Sequence, residues 1–312
     1  MTDVSLPTDK PTSPDVHSDT LAPATAFSHL APQLVFLLSP FGMSGSNYVR
    51  NLILKAKICD VPSNPLIRKE DWFIHGSDHL TNYIATLGQF WTNAFGDGLS
   101  EEISTTKAEI LSRFGEALTN IATEGNRKTT IIKTPSTKNL ENVHLLFPTA
   151  KLIFLIRDGR DACVSRMAAG YDKELEESFR FWSVRSRHML RFAERAALRK
   201  TDDVPLWIRY EDAVREPIQQ IQRVANYLGV QLETPNDLVA ENLPIYGSSE
   251  FGHNKDGTFT KVNVERPVDF DPIGRWKVWP RSTCELFHEV AGRELMDLGY
   301  EPDEYWSTLC ED

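Results

Sequence analysis

The chain has 312 residues, of which 41% are hydrophobic and 25% charged, with a formal net charge of −10. That length supports a large buried core in one or two domains, and the balance is that of an ordinary globular protein. The acidic excess disfavours general binding to nucleic acid or to an acidic membrane surface, so any bound anion needs a local basic pocket.

In chain order, residues 1–28 are rich in Pro, Thr, Ser and Asp and poor in large apolar side chains. They bury too little to offset ordering entropy, which predicts a mobile tail ahead of one domain over 29–312. Leu34 to Leu38 is a short saturated apolar run flanked by prolines, the pattern of a strand buried on both faces. The small-residue turn Gly42-Met-Ser-Gly-Ser46 follows, and then Val49, Leu52, Ile53 and Leu54 at helical spacing. A strand, a tight glycine turn and a helix N-terminus aim backbone N–H groups at one point, where an anion can sit. Residues 66–98 carry Trp72, Phe73, His75, His79, Tyr83, Phe90, Trp91 and Phe95 and read as irregular.

Ile110, Leu111, Phe114, Leu118 and Ile121 predict an amphipathic helix over 100–124. A strand over 129–133 and a helix near 137–147 come next. A second buried strand, Leu152 to Ile156, runs into Arg157 and then Asp158, a residue suited to cap the following helix. Ser165 lies about two helical turns beyond the strand end. In an open parallel sheet ligands collect at the carboxyl ends of the strands. Both turns would therefore border one crevice, where a guanidinium and a hydroxyl suit a second phosphate. A long charged helix over 174–199, whose arginines read as solvated, precedes a strand over 206–210. A helix ended by Gly229 follows. Residues 241–272 show no periodicity and read as a long loop, and a last helix spans about 280–298. Alternating strands and helices predict an α/β fold of three layers, a central, mainly parallel sheet flanked by helices. Cys59, Cys163, Cys284 and Cys310 lie far apart without C-x-x-C spacing, which predicts free thiols in a reducing compartment. No apolar run is long enough to span a bilayer, and no basic-then-apolar leader pattern opens the chain.

Together these stretches resemble the sulfotransferases that use 3′-phosphoadenosine 5′-phosphosulfate (PAPS), a family with a P-loop-like fold. GMSGSNY (42–48) resembles the family's phosphosulfate loop P-(K/R)-S-G-(S/T)-(T/N)-(W/L/Y). RDGRDACVS (157–165) matches its 3′-phosphate motif at every anchor. IIKTP (131–135) resembles its K-(S/T)-P strand end, IRYEDAV (208–214) its Tyr-Glu-Asp strand end, and GRWK (274–277) its late G-x-W-K.

The resemblance implies a cytoplasmic sulfotransferase that moves a sulfuryl group from PAPS to a hydroxyl or amine of a small molecule and leaves adenosine 3′,5′-bisphosphate. Ser44, Gly45, Ser46 and Asn47 would cradle the 5′-phosphosulfate, and Arg157 and Ser165 would hold the 3′-phosphate. Tyr210 would flank the adenine, and the segment Lys261 to Lys277 would fold over the nucleotide, with Arg275, Trp276 and Lys277 among its contacts and Trp276 as a packing anchor. The segment 66–98 would either cover the acceptor or serve as packing. No nucleic-acid or membrane partner is implied, and a homodimer is compatible with the pattern.

Three departures bear on catalysis. Met43 stands where the family has Lys or Arg, and a thioether neither donates a hydrogen bond nor neutralises charge. Lys133 is the first substitute and Arg50 a weaker one. Pro135 stands where many members have a catalytic histidine, so the base falls to Glu70, Asp71 or His75 after the first helix. The basic R-K-G before G-x-W-K is absent, leaving Arg266, Arg275 and Lys277 as the nearest cations. These departures sustain a second reading, a PAPS-binding protein of the same fold with little or no transfer activity. An ATP-dependent kinase is disfavoured, because no loop Lys-Ser/Thr pair is present to hold β/γ-phosphates and magnesium.

Overall fold

A computed structural model describes residues 33–310 except 71, 125–128, 200–203, 233–242, 255–257 and 266. The predicted tail over 1–28, with Asp71 and Arg266, lies outside the described residues.

The chain runs β1 (Leu34–Leu38), α1 (Ser46–Lys55), α2 (Pro65–Arg68), α3 (Ser77–Phe95), α4 (Ser100–Thr123), β2 (Thr130–Thr134), α5 (Val143–Leu146) and β3 (Lys151–Ile156). It continues through α6 (Gly159–Ala168), α7 (Leu175–Arg199), β4 (Leu206–Arg209), α8 (Tyr210–Arg215), α9 (Pro217–Leu228), β5 (Ile245–Tyr246), β6 (Asn263–Val264) and α10 (Arg281–Asp297). Four strands form a parallel sheet in the order β2-β1-β3-β4, with Leu37 beside both Lys133 and Ile153.

The saturated apolar runs arise because alternate side chains enter different cores. Leu34, Phe36, Leu38, Ile132, Leu152 and Phe154 face a cluster with Ile84, Leu111 and Met189 from α3, α4 and α7. Val35, Leu37, Ile131, Ile153, Leu155 and Ile208 face the opposite cluster, with Leu52 and Ile53 of α1 and Ile221 and Val224 of α9. Both sides of the sheet are thus covered by helices, giving the predicted three layers. A third cluster beyond the sheet gathers Phe41, Phe179, Trp182, Phe287 and Trp306.

Four expectations are corrected. Residues 77–95 are helical rather than irregular: Leu80, Ile84 and Leu87 pack on the core at helical spacing, while Tyr83, Phe90 and Phe95 are exposed. The interspersed exposed aromatics blur the periodicity on which the sequence reading relied. Residues 241–272 contain a two-stranded antiparallel hairpin, β5–β6, whose two-residue strands are too short to leave a pattern. Arg185 and Arg187 of α7 are not simply solvated. Arg185 donates to the Pro40 carbonyl, and Arg187, with Ser183, holds the buried Glu294 of α10. Cys284 and Cys310 are joined in a disulfide across 26 residues, and Cys59 and Cys163 are buried free thiols. Wide sequence separation concealed a pair that folding of the C-terminal segment onto α10 brings together.

Candidate functional site

Because β1–β4 are parallel, their carboxyl ends lie along one edge, and each delivers something there. β1 leads into the loop 39–45, β2 into Thr134-Pro135, β3 into Arg157, and β4 into Tyr210, the first residue of α8 rather than the last of the strand. An open cleft lies at this edge, lined by Gly42, Met43, Gly45, Ser46, Asn47, Glu70, Lys133, Arg157, Ser165, Tyr210 and Arg275 among others.

One end of the cleft is the β1–α1 turn. Gly45 caps α1 with φ +84°, a conformation that costs a residue with a Cβ about 1–2 kcal/mol. A Cβ there would also lie 2.1 Å from the Tyr210 ring. The glycine therefore serves the packing of Tyr210 as well as the turn. Met43, although not glycine, also has positive φ (71°), and its carbonyl accepts from Arg157 Nη1 at 2.9 Å. Ser44 does not line the cleft; its buried hydroxyl donates to the Phe41 carbonyl and closes the turn. No side chain caps the N-terminus of α1, which leaves that helix end available to an anion.

The other end is built on β3–α6. Asp158 caps α6 by accepting from the Arg160 N–H at 2.9 Å, as its position predicts. Arg157 Nη1 donates to Ser165 Oγ at 3.1 Å, and Arg275 Nη1 donates to the same oxygen at 3.0 Å and to Ser249 Oγ at 3.1 Å. Two guanidinium groups thus converge on one hydroxyl. Burial lowers the pKa of Arg275, and the neighbouring Arg157 charge lowers it further. Arg157 is 5% exposed, stacks on Tyr210 at 4.9 Å, and has a buried Nε without a hydrogen-bond partner among the described residues. Concentrated positive charge with an orphaned donor fits a phosphate dianion.

An ionic cluster lies beside the first turn of α1. Lys133 Nζ donates to Asn47 Oδ1 at 2.9 Å and to Glu70 Oε1 at 3.1 Å, and Lys261 reaches the same carboxylate oxygen at 3.5 Å. Burial lowers the Lys133 pKa to about 8, against the opposing pull of Glu70. Arg50, the weaker substitute cation, instead donates to the carbonyls of Arg68 and Lys69 and so fixes the backbone leading to Glu70.

Not every expected residue reaches the cleft. His75 lies outside its lining, where Nδ1 pairs with Ser136 Oγ at 2.8 Å and Asn139 donates to its carbonyl. Trp276 packs against Arg160, whose guanidinium sits 3.6 Å over the ring, and edge-on to Trp306; neither it nor Lys277 lines the cleft. The tight 3₁₀ turn Arg275–Val278 directs Arg275 alone inward. None of the aromatics expected over an acceptor in 72–95 lines the cleft. Leu243, Ile245, Tyr246, Tyr171 and Phe270 supply the apolar wall instead. Sequence reasoning named none of these, nor Ser249 or Lys261, as site residues, although Lys261 and Phe270 fall in the segment 261–277 expected to fold over the nucleotide. The available signal was a lysine- and serine-bearing loop too long to be a mere connection.

A family model described as "Sulfotransferase family" matches residues 30–234. No curated protein matches. Among solved structures, the sulfotransferase domain from the curacin biosynthetic pathway is 18% identical with a TM-score of 0.49, covering 86% of this chain and 98% of that one. The sulfotransferase domain of the Synechococcus PCC 7002 olefin synthase is 19% identical with a TM-score of 0.43, covering 67% and 77%. Mouse sulfotransferase SULT7A1, solved with PAP, is 15% identical with a TM-score of 0.43, covering 86% and 87%. At these identities and TM-scores the solved structures add nothing to the family match.

Proposed function

The chain belongs to the sulfotransferase family, and from that membership we propose that it transfers a sulfuryl group from PAPS to a hydroxyl or amine of a small-molecule acceptor. The observation that carries the reading is the convergence of Arg157 and Arg275 on Ser165, in the same cleft that the β1–α1 turn lines. One end suits the 3′-phosphate and the other the 5′-phosphosulfate. The donor supplies the sulfuryl group and a phosphate leaving group; the protein supplies position and charge.

Gly45, Ser46 and Asn47 hold the 5′ end, with Ser44 keeping the turn closed. Tyr210, stacked on Arg157, flanks the adenosine side. Trp276 braces Arg275 through the turn they share, and Lys277 stands outside the contact set. Lys133 presents a cation to the leaving oxygen while Asn47 and Glu70 fix its ammonium group. Glu70 is the base, since it is the carboxylate in the cleft beside that lysine and an acceptor hydroxyl placed there can pass it a proton. His75 acts from outside by holding Ser136 next to the cleft-lining Pro135. The apolar wall of Leu243, Ile245 and Tyr246 suits an acceptor with a hydrophobic body.

Met43 favours a second reading, a PAPS-binding protein with little transfer activity, because the loop position lacks a donor. Calorimetric titration with adenosine 3′,5′-bisphosphate, alongside release of label from radioactive PAPS across an acceptor panel, separates the two. Binding with turnover is expected; binding without turnover on any acceptor supports the second reading, and no binding removes both.

No helix among the described residues is long and apolar enough to cross a membrane. A cytoplasmic location belongs to the proposal, and the Cys284–Cys310 bond is the observation that weighs against it. Imaging of the tagged chain decides the matter. A homodimer likewise belongs to the proposal, with sedimentation as its test.

A further inference from the structure

We propose that Lys261, carried over the β1–α1 turn by the β5–β6 hairpin, supplies the positive charge that Met43 withholds and contacts the sulfuryl group and its bridging oxygen during transfer. The inference rests on the sulfotransferase reading of the cleft and goes beyond it by naming the compensating residue.

Among the described residues four cations line the cleft: Lys133, Arg157, Lys261 and Arg275. Arg157 reaches the turn, but its two terminal nitrogens already donate to the Met43 and Pro272 carbonyls and to Ser165, and Arg275 is held at Ser165 and Ser249. Lys133 already directs two of its donors to Asn47 and Glu70, and its side chain is only 4% exposed. Lys261 is held more loosely. Its side chain is 39% exposed, and its one carboxylate contact among the described residues is long, at 3.5 Å. A cation on a loose tether can follow developing charge without first breaking a tight pair.

Backbone geometry explains why Lys261 stands over this turn. β5 and β6 pair Ile245 with Val264 and Tyr246 with Asn263, and the Gly247 N–H donates to the Val262 carbonyl at 3.0 Å. Beyond Gly247 the Thr260 N–H donates to the Gly252 carbonyl, which staples the hairpin on the far side of Lys261. Gly247 has φ +71°, and a Cβ there would lie 3.4 Å from Lys261 Cγ and 3.5 Å from Asn47 Nδ2. Asn47 Nδ2 in turn meets the Tyr246 carbonyl at 3.5 Å. Lys261 Cγ and Asn47 Nδ2 thus flank the same point beside Gly247, which brings the Lys261 stem near the first turn of α1 in the cleft that Met43 also lines.

The transfer balances as follows. The acceptor oxygen or nitrogen forms a bond to sulfur as the bond between sulfur and the 5′-phosphate bridging oxygen breaks. The acceptor proton passes to Glu70, and the electron pair of the broken bond stays on the phosphate oxygen, where Lys261 and Lys133 meet its charge. Protonation of Glu70 also releases the carboxylate that tethered Lys261.

The test uses the full chain, with water as the acceptor, and measures single-turnover release of labelled sulfate from PAPS with enzyme in excess. Lys261→Met, which keeps length and removes charge, is expected to slow release about 100- to 1000-fold, the usual effect of losing one aimed donor. Its affinity for adenosine 3′-monophosphate, which lacks the 5′-phosphate and its leaving oxygen, is expected to stay within about threefold of wild type, a shift of less than about 0.7 kcal/mol. Adding Met43→Lys to Lys261→Met is expected to restore at least about tenfold of the loss, a recovery that no hairpin defect would give. Wild-type release by Lys261→Met, or no recovery in the double variant, overturns the proposal. So does wild-type release no faster than the uncatalysed rate. Failure of the wild-type protein to bind adenosine 3′,5′-bisphosphate would defeat the reading of the cleft itself.

Discussion

Glu70 stands between two ammonium groups, with Lys133 at 3.1 Å and Lys261 at 3.5 Å. As the proposed base it must accept a proton, and Glu70→Gln removes that capacity while keeping the shape. Turnover is expected to fall about 100- to 10,000-fold with nucleotide affinity retained. His75→Asn, changing a group outside the cleft, is expected to cost much less. Equal turnover of Glu70→Gln and wild type would end the assignment. In the role proposed for it, Lys133 acts only while protonated. Its pKa, lowered by burial to about 8, places the loss of function on the alkaline side, so kcat/KM is expected to fall as pH rises through about 8. Lys133→Arg, still charged there, is expected to shift that limb upward, and an unmoved limb would assign it to another group.

The residue-scale site was partly legible. Arg157, Ser165 and Asp158 belong to one strand–turn–helix unit, where local spacing dictates geometry. Lys261 was not legible, because it meets Glu70 across 191 residues through a hairpin whose strands are two residues long. Arg50 illustrates the reverse case: its nearness in sequence suggested the cleft, and the carbonyls of Arg68 and Lys69 hold it elsewhere.

At the scale of elements, the β1–α1 turn works because Gly45 lets the Tyr210 ring close against it. Gly45→Ala combines positive φ with a Cβ 2.1 Å from that ring, so it is expected to weaken adenosine 3′,5′-bisphosphate binding and lower the melting temperature together. Gly115 of α4 is a purely structural counterpart. A Cβ there would lie 1.6 Å from the Leu146 carbonyl oxygen at the end of α5. Gly115→Ala is expected to cost about 1–3 kcal/mol in denaturant unfolding without changing nucleotide affinity in the folded protein. A variant as stable as wild type would show that α4 and α5 can separate freely. The strands were legible because saturated apolar runs have few alternatives. The helix α3 was not, because Phe90 and Phe95 are 62% and 63% exposed and spoil its polar face.

For the whole molecule, the C-terminal segment is tied back to the part of the cleft around Arg275 and Ser165. Cys310 is bonded to Cys284, Trp306 packs on Trp276, and Arg275 is the neighbour of Trp276. A loop of 26 residues closed by a disulfide is worth about 3.5 kcal/mol by chain entropy. Cys310→Ser is expected to lose stability of that order under oxidising conditions and nothing under reducing ones. Equal loss in both would mean that packing rather than the bond is responsible. The three-layer architecture was legible from alternation alone, whereas this closure was not, since cysteine spacing carries no information about which chain ends meet.

The central claim is that two turns, one after β1 and one after β3, grip opposite ends of one doubly phosphorylated adenosine. Calorimetric affinities of adenosine 3′,5′-bisphosphate and adenosine 5′-monophosphate, for the wild type and for Arg157→Ala, test it directly. The wild type is expected to prefer the bisphosphate by about 1.5–3 kcal/mol, the range for a hydrogen bond to a charged group, and Arg157→Ala to lose most of that preference. Equal affinity of the wild type for the two nucleotides, or a preference untouched by Arg157→Ala, would contradict it.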